Sequence, residues 1–314
     1  MLAYLGIDES FLPEIRESGE LVGTVLPEMA DLLGISPQAK ITTGCLDQAA
    51  GAIGVGNIRP GIFSENIGAA LAICVPTSKL TYDPNRQMPV HYFATPDTYM
   101  MHTFTTGGMC LRWFRDGFCQ PELDIQNLTG VDAYDLMGKE ADRVAPGSDG
   151  LIMLPHLQGS MAPDVNLNAK GVFYGATLQH NKAHFVRSIM ESLGYLICRN
   201  LEAIDAMGLE VKQIRTMGGG SKSDVWNQIK ADITGKTLHV TYSSQDTACL
   251  GAAILAGKAA GVFESIESAV DSMVKIKKTF EPNPANRAVY DKQYKKFKLL
   301  FNSLSTLFDE DAKG

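Results

Sequence analysis

The stretch DTACLGAAILAGKAAGVF, residues 246–263, limits the fold more than any other part of this sequence. It reads as a helix so rich in Ala and Gly that it must lie against another backbone or a flat ligand. A related run, GCLDQAAGAIGVG from residue 44, carries Ala49, Ala50, Gly51, Ala52 and Gly54, which let a helix pack unusually close to its neighbours. The same run sets one carboxylate, Asp47, between a strand expected over residues 40–43 and the small-residue helix.

The other elements make the chain α/β. PEMADLL at 27–33 has a proline at a first helical position and is stopped by Gly34. GIFSENIG and AALAICV are β-like runs joined by a short turn at Gly68, and so a hairpin. TYMMHTFTT reads as a strand, and GGMCLRWFRDGF as a helix with Leu111, Phe114 and Phe118 on one side. GLIMLPHLQGSMAPDVNLNAKGVFYG reads as strand, proline-punctuated loop and short strand. Residues 182–207 form the clearest helix: Phe185, Ile189, Leu193, Leu196, Ile197, Leu201 and Ile204 trace one apolar stripe, closed by Gly208, which marks a central packing helix. VKQIRTMGGGSKSDVWNQIKADITG then reads strand, glycine turn, helix. TLHVTY is a strand, and a basic helix near YDKQYKKFKLLFNSL ends the fold with its lysines on a solvated face. Strands and helices mixed in this order, with no fixed-period repeat, define the class.

At 314 residues the chain can bury a sizeable core in two domains or one large one. No apolar run approaches the roughly 20 residues that span a bilayer, so no membrane is expected. A net charge of −7 and a pI near 5.4 argue against nucleic acid and anionic lipid and favour a small-molecule partner. The six cysteines are scattered without a CxxC pair, which suggests reduced, mostly buried thiols and a cytoplasmic location.

Two stretches invite a chemical reading, and each has a plainer one. MGGGSKS, residues 217–223, is a turn whose glycines let backbone approach a ligand at a helix N-terminus; equally it is a tight turn capped by Ser221 or Ser223. Asp47, at the end of a strand, stands where α/β folds hold ligands, and is equally a helix N-cap. His180 and His184 are four apart but lack a neighbouring Cys or acid to make a metal site, and His156 reads as a packing or hydrogen-bonding group.

Taken together these stretches resemble the FGGY carbohydrate kinases, within which xylulose kinases are nearest in pattern. GCLDQAAGAIGVG is similar to that family's catalytic segment, MGGGSKSDVWNQIKADITGKTL to its adenosine motif, and DTACLGAAILAGKAAGVF to the helix that follows. GVFYGATLQHNKAHFVRSIME, residues 171–191, resembles the family's second signature, with Ala176 where a larger aliphatic residue is usual. SENIGAALAI resembles its second phosphate hairpin, with Ala69 after Gly68 where a Gly-Thr pair is common.

The resemblance implies an actin-like ATPase (ribonuclease H-like) domain, a mixed sheet flanked by helices, preceded by the remnant of a second such domain. Residues 1–60 would be the last part of the sugar-binding N-terminal domain and 61–314 the ATP-binding domain, with the boundary near residues 59–62; the chain is then expected to be a fragment, inactive alone. It further implies ATP-dependent phosphorylation of a sugar or polyol. Asp47 is the implied general base, Gln48 steadies sugar or acid, Gly68 and Ala69 lie at the phosphates, and Gly219, Gly220 and Ser221 border the adenosine. Mg²⁺ would be held largely by ATP oxygens and water. A homodimer is compatible with this reading. The alternative is a non-catalytic nucleotide- or sugar-binding module. A dinucleotide oxidoreductase is disfavoured, because no acidic residue about 20 positions after the glycine turn ends a following strand.

Overall fold

The computed structural model describes residues 2–313. Its strands are β1 (Leu21–Thr24), β2 (Lys40–Thr42), β3 (Ile62–Ile67), β4 (Ala70–Thr77), β5 (Val90–Tyr92), β6 (Tyr99–Thr106), β7 (Ile152–Leu154), β8 (Val172–Tyr174), β9 (Gln213–Met217), β10 (Thr237–Thr241) and β11 (Ile276–Phe280). Its α-helices are α1 (Leu2–Leu5), α2 (Pro27–Leu33), α3 (Asp47–Gly54), α4 (Met109–Phe118), α5 (Gln120–Thr129), α6 (Ala133–Asp142), α7 (Lys182–Ala206), α8 (Asp224–Thr234), α9 (Thr247–Ala260), α10 (Ile266–Met273) and α11 (Arg287–Asp311).

Seven strands form the main sheet in the order β11–β10–β9–β3–β4–β6–β5. β10, β9 and β3 run parallel, while β4, β6, β5 and β11 join antiparallel. The central strands are covered on both faces, which is why β3 and β4 are nearly continuous in burial. The pleat divides them: Phe63, Ile73 and Val75 join the core with residues of α4, α6, α7, α8 and α11, whereas Cys74 joins Ile53, Ile254 and Val270 of α3, α9 and α10.

α7 is the central helix that its stripe demands, with Ile189, Leu193, Ile197 and Ile204 buried, Asn181 capping its start, and Gly208 in the left-handed region just beyond its end. The small-residue helices α3 and α9 pack on each other. An added Cβ at Gly54 would stand 2.7 Å from the Thr247 carbonyl carbon, and one at Gly251 2.6 Å from that of Ala50. The partner demanded by the Ala/Gly composition of α9 is therefore the backbone of α3.

Several elements exceed what the sequence pattern conveyed. Edge strand β5 has only three residues, and edge strand β11 is largely exposed and carries Lys277 and Lys278, so β11 lacks the apolar alternation of a half-buried strand. α5 and α6 bury mainly small residues, Ala133, Gly138 and Ala141, beside Met137 and Glu122. In α4, Leu111 and Phe114 are buried, while Phe118 is 57% exposed and stacks on Phe114 with ring centroids 5.1 Å apart, at the rim of that face. No helix among the described residues is long and apolar enough to cross a membrane.

Candidate functional site

β3 and β9 are parallel neighbours, so their carboxyl ends open on the same edge of the sheet. From β3 the chain turns at Gly68 and Ala69; from β9 it turns through residues 218–223 into α8. These turns meet on a cavity of about 330 Å³ whose lining includes Gly68, Ala69, Gly219, Gly220, Tyr134 and Trp226.

The three glycines of the second turn do different work. Gly218 has φ +76°, and a Cβ there would press on the Asn66 side chain and lie 3.1 Å from the Ile67 carbonyl oxygen. A Cβ on Gly220 would lie 2.8 Å from Ile67 Cβ. Both positions therefore let the turn close onto β3. Gly219 differs: its nearest neighbour would be the Ile67 oxygen at 3.8 Å, and its open side belongs to the cavity. Ser221 sits behind the turn, 3% exposed, donating to the Gly218 carbonyl at 2.7 Å while Gln245 Nε2 donates to its Oγ at 2.8 Å. Ser223 is the helix cap, accepting from the Trp226 N–H at 3.2 Å. One stretch thus holds a cap, a strut and a cavity wall.

Sequence reasoning missed a second glycine pair at this site. Gly107 and Gly108 link β6 to α4 beneath the hairpin turn, where the Ala69 carbonyl accepts from Gly107 at 3.2 Å and from Met109 at 3.0 Å. A Cβ on Gly107 would be 2.6 Å from the Ala70 oxygen. A glycine pair between strand and helix, as in MGGGSKS, was the available signal. Arg112, Asp132 and Lys222 add charge to the lining, and the Arg115 guanidinium lies 4.6 Å from the Tyr134 ring centroid.

Asp47 and Gln48 lie outside this cavity, at the start of α3. Leu46 is the N-cap; Asp47 is the first helical residue, exposed, its Oδ1 accepting from the Gln48 N–H at 2.7 Å. The Cys74 thiol approaches the Gln48 carbonyl at 3.8 Å and His102 Nδ1 at 3.6 Å. Burial pushes the Cys74 thiol up to about 12 and holds the His102 imidazole below its ordinary value.

The remaining candidates resolve structurally. His180 and His184 meet edge-on at 5.2 Å, and His184 Nε2 lies 3.1 Å from Asp149 Oδ2. His156 is buried against Phe301, ring centroids 5.0 Å apart, and burial lowers it to about 4. Among the described residues no group of three His, Cys, Asp or Glu could hold a metal ion. Beneath the two glycine turns lies a fully buried pair, Glu65 and Lys230; burial raises the carboxyl and lowers the ammonium from their ordinary values, against their mutual attraction.

The likeness to solved sugar kinases identifies this mixed sheet, with helices on both faces and glycine turns closing a cavity at the strand ends, as an actin-like ATPase fold. Residues 73–260 match the C-terminal domain of the FGGY family of carbohydrate kinases, and residues 1–54 match its N-terminal domain. The chain belongs to the FGGY family of carbohydrate kinases. It is 32% identical over 311 residues to a gluconokinase of Bacillus licheniformis, covering 99% of this chain and 60% of that protein. It is 30% identical over 298 residues to a xylulose kinase of Staphylococcus epidermidis, covering 94% and 58%. A ligand-bound xylulose kinase from Lactobacillus acidophilus superposes with a TM-score of 0.86 at 26% identity, covering 98% of this chain and 61% of that one. The chain thus spans about three fifths of the length of these relatives.

Proposed function

We propose that this chain carries the nucleotide-binding part of an ATP-dependent carbohydrate kinase, with residues 1–60 the end of the sugar-binding domain and 61–314 the ATP-binding domain. The observation that carries the reading is the convergence of the Gly68–Ala69 and Gly219–Gly220 turns on one cavity. In the proposed reaction a sugar or polyol hydroxyl attacks the γ-phosphorus of ATP. The new O–P bond forms as the bond to the β–γ bridging oxygen breaks, ADP departs, and Asp47 accepts the hydroxyl proton. Exposure of the Asp47 carboxylate at a helix start supports this role, since substrate can reach it.

Phosphoryl transfer needs chiefly positioning and charge stabilisation, for which backbone donors suffice. Ala69 supplies no hydroxyl, but its N–H makes no hydrogen bond among the described residues and is free to meet a phosphate oxygen. Gly219, Gly220 and Ser221 border the adenosine in this reading, the two glycines as wall and Ser221 as the strut that holds them. Gln48 steadies the substrate. Magnesium would arrive with the nucleotide, on phosphate oxygens and water. The names of the relatives make gluconate and xylulose the first substrates to try. Six free cysteines without a disulfide support a reducing, cytoplasmic setting.

The chain alone is proposed to bind ATP without useful turnover. Large apolar side chains stand exposed at Tyr4, Phe11, Ile15 and Leu32, which supports a further protein surface against this N-terminal segment. Calorimetric titration with ATP, followed by a coupled ADP-release assay over a panel of sugars and polyols, tests the reading. ATP binding is the expected result; a folded chain that binds no ATP overturns the site. A full-length parent that binds ATP but never consumes it, whatever sugar is supplied, would favour the non-catalytic module to which Ala69 points.

A further inference from the structure

We infer that Glu65, Thr216 and Lys230 are positioning residues for the cavity, a buried brace that fixes the spacing between its two glycine turns. The inference rests on the nucleotide-site reading above. Glu65 on β3 and Thr216 on β9 are direct partners in the parallel register, so their side chains leave the sheet side by side on one face. From α8, Lys230 reaches that face and donates to Glu65 Oε1 and, at 2.9 Å, to Thr216 Oγ1. Lys230 and Glu65 have no side-chain exposure.

The face is otherwise apolar. Phe63 and Ile67 flank Glu65 at the same pleat parity, Ile214 precedes Thr216, and Ile229 and Ile233 flank Lys230 on α8; all belong to the core. To hold α8 on the sheet, an apolar pair of like volume would serve as well or better, because desolvating two charges offsets most of their attraction. A directional contact to two strands adds register. An apolar helix face can settle at several positions along a sheet, whereas an ammonium held between a carboxylate on one strand and a hydroxyl on the next has one.

That register matters because of where it acts. Glu65 lies just upstream of Gly68, Thr216 just upstream of Gly218, and Lys230 on the helix that leaves the second turn and carries Trp226 into the cavity wall. The brace joins three of the elements that contribute to that wall. Its loss leaves the layers packed but lets the two turns drift relative to one another.

The test is the double variant Glu65→Leu/Lys230→Met, which removes both charges and leaves no buried ion unpaired. Its thermal midpoint is expected to equal or exceed the parent's, while ATP affinity by calorimetry falls about tenfold, within the range that small misplacements and remote couplings produce. Thr216→Val removes the hydroxyl that accepts from Lys230 and leaves the buried ammonium one partner fewer; it should lower the midpoint slightly and weaken ATP binding in the same direction as the double variant, by less. A role confined to stability would lower the midpoint and leave the affinity of the folded protein alone, and that result overturns the inference. Should the double variant not fold, Thr216→Val decides alone: unchanged affinity refutes the brace. A parent that binds no ATP removes the nucleotide site itself, and the brace with it.

Discussion

Replacing Gly251 with alanine should destabilise the protein, although alanine is the better helix former. At Gly251 the new Cβ would lie 2.6 Å from the Ala50 carbonyl carbon, roughly 1 Å inside the ~3.5 Å at which two carbons meet comfortably. The obstacle is backbone on both sides, so no rotamer change relieves it, and α3 and α9 must separate. Overpacking of this kind costs about 3 kcal/mol at the upper end of its usual range. Alanine returns about 1 kcal/mol of helix propensity, leaving a net loss of about 2 kcal/mol. Gly117 is the internal control: it lies in α4, exposed, with nothing within 4 Å of an added Cβ. Gly117→Ala should therefore stabilise, by about 0.5 kcal/mol near a helix end. Urea unfolding of both variants, with slopes matching the parent's, gives the two signs. If Gly251→Ala is as stable as the parent, the α3–α9 contact is looser than its geometry, and the close-packing account is wrong.

Three further outcomes follow from the site and the core. Gly219→Ala should weaken ATP binding while leaving the unfolding midpoint unchanged, whereas Gly220→Val, which must displace Ile67, should lower both; equal affinity in Gly219→Ala and the parent would return this turn to a purely structural role. His156, lowered by burial to about 4 against about 6.5 when unfolded, binds its proton more readily in the unfolded chain; stability is therefore lost as pH falls from about 6.5 toward 4, by about 3 kcal/mol from this group. His156→Gln should shrink the difference between urea midpoints at pH 7 and pH 4.5, and an undiminished difference would refute that assignment. In a full-length parent, Asp47→Asn keeps an oxygen to accept from the Gln48 N–H but removes the proton acceptor, so turnover should fall about 10²- to 10⁴-fold with ATP affinity retained; turnover within a few-fold of the parent would make the acid structural.

What could be read from the sequence divides along a physical line. Features set by the chain's own period were plain: the stripe of α7, the stop at Gly34, and the hairpin turning at Gly68 all appear where local pattern places them. Elements whose stability comes from what lies beside them were silent. β11 reads IKKTF, with no apolar alternation, and becomes a strand because β10 offers it an edge. α6 contributes small residues to a contact made by others. The same divide runs through the site. A glycine run announces close approach but not what approaches; with β3 beside the turn, Gly218 and Gly220 close it onto Ile67, and Gly219 and Gly220 line the cavity.

The buried brace carries this reasoning one step further. In SENIG the glutamate reads as a polar residue in a strand, and in WNQIKADI the lysine reads as one more exposed helical charge. Each alone would be costly to bury, so each alone argues for exposure. Only the pairing of β3 with β9, which sets Glu65 beside Thr216, makes a place where Lys230 can lose its water and keep its hydrogen bonds. A charge that single-residue reasoning puts on the surface thus lies at the centre of the layer that holds the two glycine turns. The turns themselves, having little side chain of their own, must take their positions from such neighbours; that is why Lys230 and Ile67, which look least like ligand-binding residues, should govern nucleotide affinity as firmly as the glycines do.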